Sequence, residues 1–189
     1  MGRKQLEAFK ELDDLACWLS AAGVDLSLWR SGTSKTLANL WEEYQRGEVL
    51  FRNNPPVRMV EVVNVRVTRD DLLLIEIEQE FINGERRARN QPPSEKMKPG
   101  EDVWLAARRC LHEELGVSVE QIEWIDAAFR KEEEQIESPS YPGLMTHYTS
   151  YTVEAHVRGL PQERFWRENL AAVEGDPVKR HLWTWVRQI

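Results

Sequence analysis

Apolar residues recur at two different periods along this chain, and the change of period divides it. Over residues 4–22, Leu6, Phe9, Leu12, Leu15, Ala16 and Leu19 stand three or four apart, the spacing of one helix face, and Gly23 follows as a stop. A second stripe, Leu37, Leu40, Trp41 and Tyr44, predicts a helix from about Ser34 to Gln45, with Thr33 or Ser34 as its cap and Gly47 closing it. Residues 1–50 therefore read as an N-terminal helical hairpin. Its stripes are expected to pack against the rest of the chain, with docking of a protein partner or a second copy as the alternative.

After Asn53-Asn54-Pro55-Pro56 the pattern becomes extended. Val57, Met59, Val62, Val63, Val65 and Val67 form a β-branched run, Leu72 to Gln79 continues it, and Asn83-Gly84 signals a tight hairpin that puts Phe81 and Arg86 on facing strands. Gln91-Pro92-Pro93 must leave the sheet. Asp102 to Leu115 reads as a helix capped by Asp102 and ended by Gly116. Further strands are expected at about 122–130, 147–157 and 182–187, with a helix over Gln162 to Val173 before the last. The α/β pattern over 57–189 predicts one main domain behind the extension.

Composition narrows the functional classes. With 32 acidic against 25 basic side chains the net charge is −7, which argues against a duplex-DNA partner held by counterion release. The two cysteines, Cys17 and Cys110, lie far apart in helical patterns, so no disulfide framework or thiolate metal cluster is implied. No signal peptide or membrane-spanning segment is recognisable. The expectation is a cytoplasmic or other reducing intracellular compartment.

Chemistry concentrates in the segment from Glu95 to Val117. On a helix advancing about 100° per residue, Cys110, Glu113 and Glu114 share one face, beside a stripe of Trp104, Leu111 and Leu115. Adjacent carboxylates repel, so presenting two at the edge of a buried stripe suits a divalent cation that neutralises both; a solvated helix end is the alternative.

In register, Glu101, Arg109, Leu111, Glu113, Glu114, Gly116 and Val117 resemble the Nudix box, and Pro99-Gly100 gives the loop entry. The resemblance covers about residues 57–189 and implies a Nudix-type α/β/α sandwich with a mixed sheet. It also implies hydrolysis of a diphosphate linkage with Mg2+ or Mn2+ as cofactor. On that basis Glu113 and Glu114 are metal ligands, Arg109 orients the carboxylates, and Gly100 and Glu101 support the loop. The family's further Glu from outside the box has candidates in the acidic run Glu132, Glu133, Glu134 and Glu137, of which Glu133 is the choice, with a solvated surface as the competing reading of each.

Two positions depart from the pattern. Glu95 stands where the box opens with Gly, and Cys110 where it has a Glu after the Arg. Cys110 is expected as packing, because a thiol is a poor partner for a hard cation. His112 is expected at the surface. Arg87 and Arg89 alternate on one strand face and are candidates to grip substrate phosphates, with edge-strand charge as the competing explanation. Tyr141 and Tyr148 are candidate stacking rings, ordinary loop packing being the other use. Trp183 and Trp185 share one strand face and are expected in the core.

Two functions fit. One is a Nudix-type metal-dependent hydrolase of a nucleotide derivative, another diphosphate-containing small molecule or an RNA 5′ end. The other is a catalytically impaired Nudix-fold binding or scaffold protein, for which Cys110 and Glu95 speak.

Overall fold

The computed structural model describes residues 6–30, 35–53, 55–171 and 178–188. In chain order the elements are β1 (Leu6–Glu7), α1 (Leu12–Ala21), a 3-10 turn (Leu26–Arg30), α2 (Leu37–Gln45), β2 (Leu50–Arg52), β3 (Val57–Arg69), β4 (Leu72–Phe81), β5 (Arg86–Gln91), β6 (Ser94–Lys96), α3 (Val103–Leu115), a second 3-10 turn (Val119–Gln121), β7 (Ile122–Trp124), β8 (Arg130–Glu137), β9 (Met145–Val157), β10 (Phe165–Glu168) and β11 (Val178–Arg187). This is the α/β class that the pattern predicts. No helix of the described residues is long and apolar enough to cross a membrane.

The chain forms two compact units. The first comprises residues 1–61, 96–100 and 132–150. Its N-terminal strand pair, Leu6 opposite Arg52 and Glu7 opposite Phe51, continues antiparallel into β3 through Leu50 opposite Met59. Phe51 is fully buried and meets the rings of Phe9 and Trp18 edge-on at centroid distances of 5.4 and 5.3 Å. Edge-to-face geometry is favourable for such pairs beyond the area they bury. Leu15 and Leu19 of α1 and Leu40 of α2 are buried as their spacing requires. β8 pairs with β9, and nearly all its side chains are exposed.

The second unit comprises residues 62–95, 101–131 and 151–189. β4 lies antiparallel between β5 and β11, and β10 pairs with the far side of β11. Val63, Val65 and Val67 alternate into the interior of β3, while α3 buries Ala106, Ala107, Cys110, Leu111 and Leu115. Trp104 of α3 meets Trp124 of β7 at 5.1 Å.

Several expectations need correction. The first helix does not run over 4–22: Leu6 and Glu7 are drawn into a strand by β2, and α1 begins after Glu11, whose side chain and that of Asp14 cap each other's backbone. The second helix is capped by Thr36, which accepts from the Asn39 amide; Thr33 and Ser34 lie outside the described residues. The strand expected at 122–130 stops at Trp124, because the Asp126 side chain turns the chain by accepting from the Ala128 amide. The acidic run that follows is strand β8 rather than loop. Most different is 162–173, where no helix forms over the described part. Phe165 to Glu168 is strand β10, with Phe165 opposite Trp183, and residues 172 and 173 lie outside the described residues. Aromatic pairing across strands wins over a weak helical period there.

Candidate functional site

Helix α3 is fixed at both ends. Asp102 accepts hydrogen bonds from the amides of Trp104 and Leu105 at 2.8 and 3.0 Å, and Gly116 closes the helix in the left-handed region at φ 66°. Gly100, at φ 74°, makes the turn into the cap.

Arg109 is the hub of the box. Its Nε and Nη2 both donate to Glu101, to Oε1 and Oε2 at 3.0 Å each, a two-pronged bond that fits the planar guanidinium to a carboxylate. Nη1 reaches Glu113 Oε2 at 3.3 Å and Glu95 Oε1 at 3.6 Å. Although burial alone would disfavour its charge, the bonds and charges of Glu101, Glu95 and Glu113 hold the guanidinium firmly protonated. Glu95, the side chain at the box's opening position, is thus one of three carboxylates gathered on one cation.

Glu114 is in a different situation. Its Oε2 is buried without a hydrogen-bond partner. Burial, with the negative charges of Glu76 and Glu95 beside it, pushes the carboxyl well above the ordinary range, against a backbone hydrogen bond from Ser94 and the charge of Arg89. Cys110 is wholly buried, and burial together with Glu114 and Glu95 raises its thiol well above the ordinary value. It is packed, neutral and hard to ionise.

Two residues near Glu114 were not singled out from the sequence. Glu76 of β4 and His181 of β11 are almost wholly buried, with His181 Nδ1 donating to Glu76 Oε1 at 2.5 Å and Arg89 Nε donating to Glu76 Oε2 at 3.1 Å. Burial works against the Glu76 charge, but the His181 bond and the Arg89 charge outweigh it and keep its carboxyl below the usual value. His181 Nε2 and Trp183 Nε1 are buried without partners. The signal was the strand pattern itself: Glu76 follows the apolar run Leu72 to Ile75 and begins an alternation with Ile77 and Glu78 that reads as a solvent face.

The other predicted residues are accounted for as follows. Arg87 donates to Gln79 and lies over the Phe81 ring, and Arg89 is committed to Glu76. Glu133 is exposed on β8 in the first unit, 3.6 Å from His147 Nε2. Glu132, Glu134 and Glu137 are exposed on the same strand; Glu137 accepts from the Gly143 amide. Tyr141 is wholly buried, 5.0 Å from the Trp29 ring, with Arg58 over its face; Tyr148 is half-buried. His112 is exposed. Trp183 is buried as expected, whereas Trp185 is half-buried, donates to the Pro161 carbonyl and carries Arg69 on its ring.

Among the described residues no group of three His, Cys, Asp or Glu side chains forms a ready-made cage for a cation. The donor set nevertheless fits Mg2+ or Mn2+. An ion that keeps most of its own waters needs only one or two carboxylates, and the orphaned Glu114 oxygen is a hard donor with no competing partner. Cys110 offers such an ion nothing.

A solved structure of a C. elegans Ap4A hydrolase binary complex is similar over 68% of this chain and 80% of its own, at 17% identity and a TM-score of 0.37. A NUDIX hydrolase from Nitrosomonas europaea covers 66% and 72% at 14% identity and a TM-score of 0.37. An ADP compounds hydrolase covers 72% and 68% at 19% identity and a TM-score of 0.34. No curated protein sequence matches. The family description NUDIX domain matches residues 57–183, about two thirds of the chain and the whole of the box, and the chain belongs to the NUDIX family.

Proposed function

We propose that this protein is a divalent-cation-dependent hydrolase of a diphosphate linkage in a nucleotide derivative or an RNA 5′ end. The observation that carries the reading is Glu114 Oε2, a buried carboxylate oxygen with no partner beside two further carboxylates, an arrangement that a cation stabilises and that burial alone penalises. Glu113 and Glu114 would hold Mg2+ or Mn2+. When bound, the ion neutralises phosphate charge and helps position the attacking water. Arg109 keeps Glu101, Glu95 and Glu113 in fixed places and so limits the reorganisation needed when substrate arrives.

Arg87 presents its guanidinium on the exposed strand β5 and is the candidate contact for substrate phosphate; Arg89, bonded to Glu76, steadies the neighbourhood of Glu114.

The test is product release from dinucleoside polyphosphates, ADP-linked compounds and triphosphate-ended RNA, with Mg2+ or Mn2+. Glu114→Gln, which keeps the side-chain volume, should lower turnover by orders of magnitude and leave the fold intact. Undiminished turnover in that variant refutes the site. A second reading, a binding or scaffold module with impaired chemistry, rests on Cys110, whose burial leaves no charge where the box has a Glu. Metal or nucleotide binding without turnover of any substrate would favour it.

A further inference from the structure

The loop between Glu95 and Glu101 is held by the N-terminal segment at successive points. Glu43 of α2 is 1% exposed, and its two oxygens take three cations: Lys35 at 2.6 Å, Lys96 at 2.7 Å and Arg58 at 2.8 Å. Lys96 also reaches Glu48 at 3.0 Å. The Met97 amide donates to the Glu61 carbonyl at 2.9 Å. Gly47, at φ 73° in the turn after α2, lies so close to Pro99 that a Cβ would stand 2.6 and 2.8 Å from its ring carbons Cγ and Cδ. Lys96, Met97 and Pro99 are therefore each fixed by a residue between 43 and 61.

The chain then places these contacts where they matter. Lys96 follows Glu95 directly, and Gly100 precedes Glu101; both glutamates bind Arg109. A carboxylate held at the end of a pinned peptide loses less entropy on meeting its partner than one on a free loop.

We propose that α2 and the turn after it are a positioning element for the box loop: Glu43 and Gly47 set the path of residues 96–100, the peptide that joins Glu95 to Glu101. The burial of Glu43 among three cations agrees, since its carboxyl is held at about 2 by Lys96, Lys35 and Arg58 even though burial opposes the charge. The consequence for hydrolysis rests on the function proposed above, whereas the positioning itself does not.

The experiment is amide exchange on the full chain with Gly47→Ala, Pro99→Ala and the double variant, followed peptide by peptide, with turnover measured in parallel. Gly47→Ala must displace the Pro99 ring, and exchange over 96–101 should rise by about tenfold while β4 and β11 keep their protection. Pro99→Ala removes Cγ and Cδ, so exchange in the double variant should return to within about threefold of Pro99→Ala alone, and any turnover should fall and recover in step. Lys96→Met, which removes the Glu43 contact without touching Gly47, should loosen the same segment. Unchanged exchange over 96–101 in Gly47→Ala, a rise shared equally by the whole chain, or no recovery in the double variant overturns the proposal. If the exchange pattern appears and no variant, the natural chain included, turns over a substrate, the positioning stands and the hydrolase reading fails.

Discussion

Glu101 and Arg109 meet through two parallel hydrogen bonds of 3.0 Å, Nε to Oε1 and Nη2 to Oε2, so the last residue before the α3 cap is tied to the second turn of the helix. The same guanidinium also faces Glu95 and Glu113.

Replacing Arg109 by Lys keeps the charge and loses the fork. The variant is expected to fold but to lose about 1–3 kcal/mol of stability, read as a lower denaturant midpoint with an unchanged slope, and to turn over more slowly. Arg109→Ala should be worse, because it leaves partly buried carboxylates facing one another.

Cys110→Glu puts back the box carboxylate in a wholly buried position next to Glu114 and Glu95. Without divalent cation this variant should melt well below the natural chain, since a further carboxyl group is buried beside Glu114 with no cation to pair it. Mn2+ should recover part of the loss, a larger thermal shift than Mn2+ gives the natural chain. Equal shifts in the two proteins would show that position 110 does not face the cation.

The two cysteines should separate cleanly under a thiol reagent. Cys17 is exposed and Cys110 is wholly buried with its thiol raised, so the native protein should show one fast equivalent and a second that appears only on unfolding. Two fast equivalents would contradict the packing of α3.

Acid should act through Glu43. Its carboxyl titrates at about 2 in the fold against an ordinary 4.5, so the unfolded chain takes up this proton first as pH falls. The Glu43 contribution is fully present above about pH 4.5 and is lost progressively towards pH 2. Denaturant midpoints measured down this range should fall, and Glu43→Gln should start lower near neutrality and decline less steeply. Parallel curves for the two proteins would remove Glu43 from the account.

What could be read from the sequence was what sits within one element. The box, the Asp102 cap and the Gly116 stop all act over a few residues, and α3 forms where they point. The alternating Val63, Val65 and Val67 were equally local. That Glu76 meets Arg89 and His181 was not legible, because Glu76 and His181 stand 105 residues apart and only strand pairing makes them neighbours. The strand at 165–168 was misread for the same reason, as its aromatic partners belong to β11. The second role of the N-terminal segment was hidden too: the stripe predicts that Leu40 is buried, but not that Glu43, one turn on, is buried with it.

Strand β8 pairs with β9, nearly all its side chains face solvent, and it carries Arg130, Lys131, Glu132, Glu133, Glu134 and Glu137. Consecutive like charges on a solvated strand oppose the approach of a second copy by repulsion. Salt shortens the reach of that repulsion. The row of glutamates on this strand therefore bears on how copies of the protein meet, and changing Glu132, Glu133 and Glu134 to threonine should lower the concentration at which the protein self-associates.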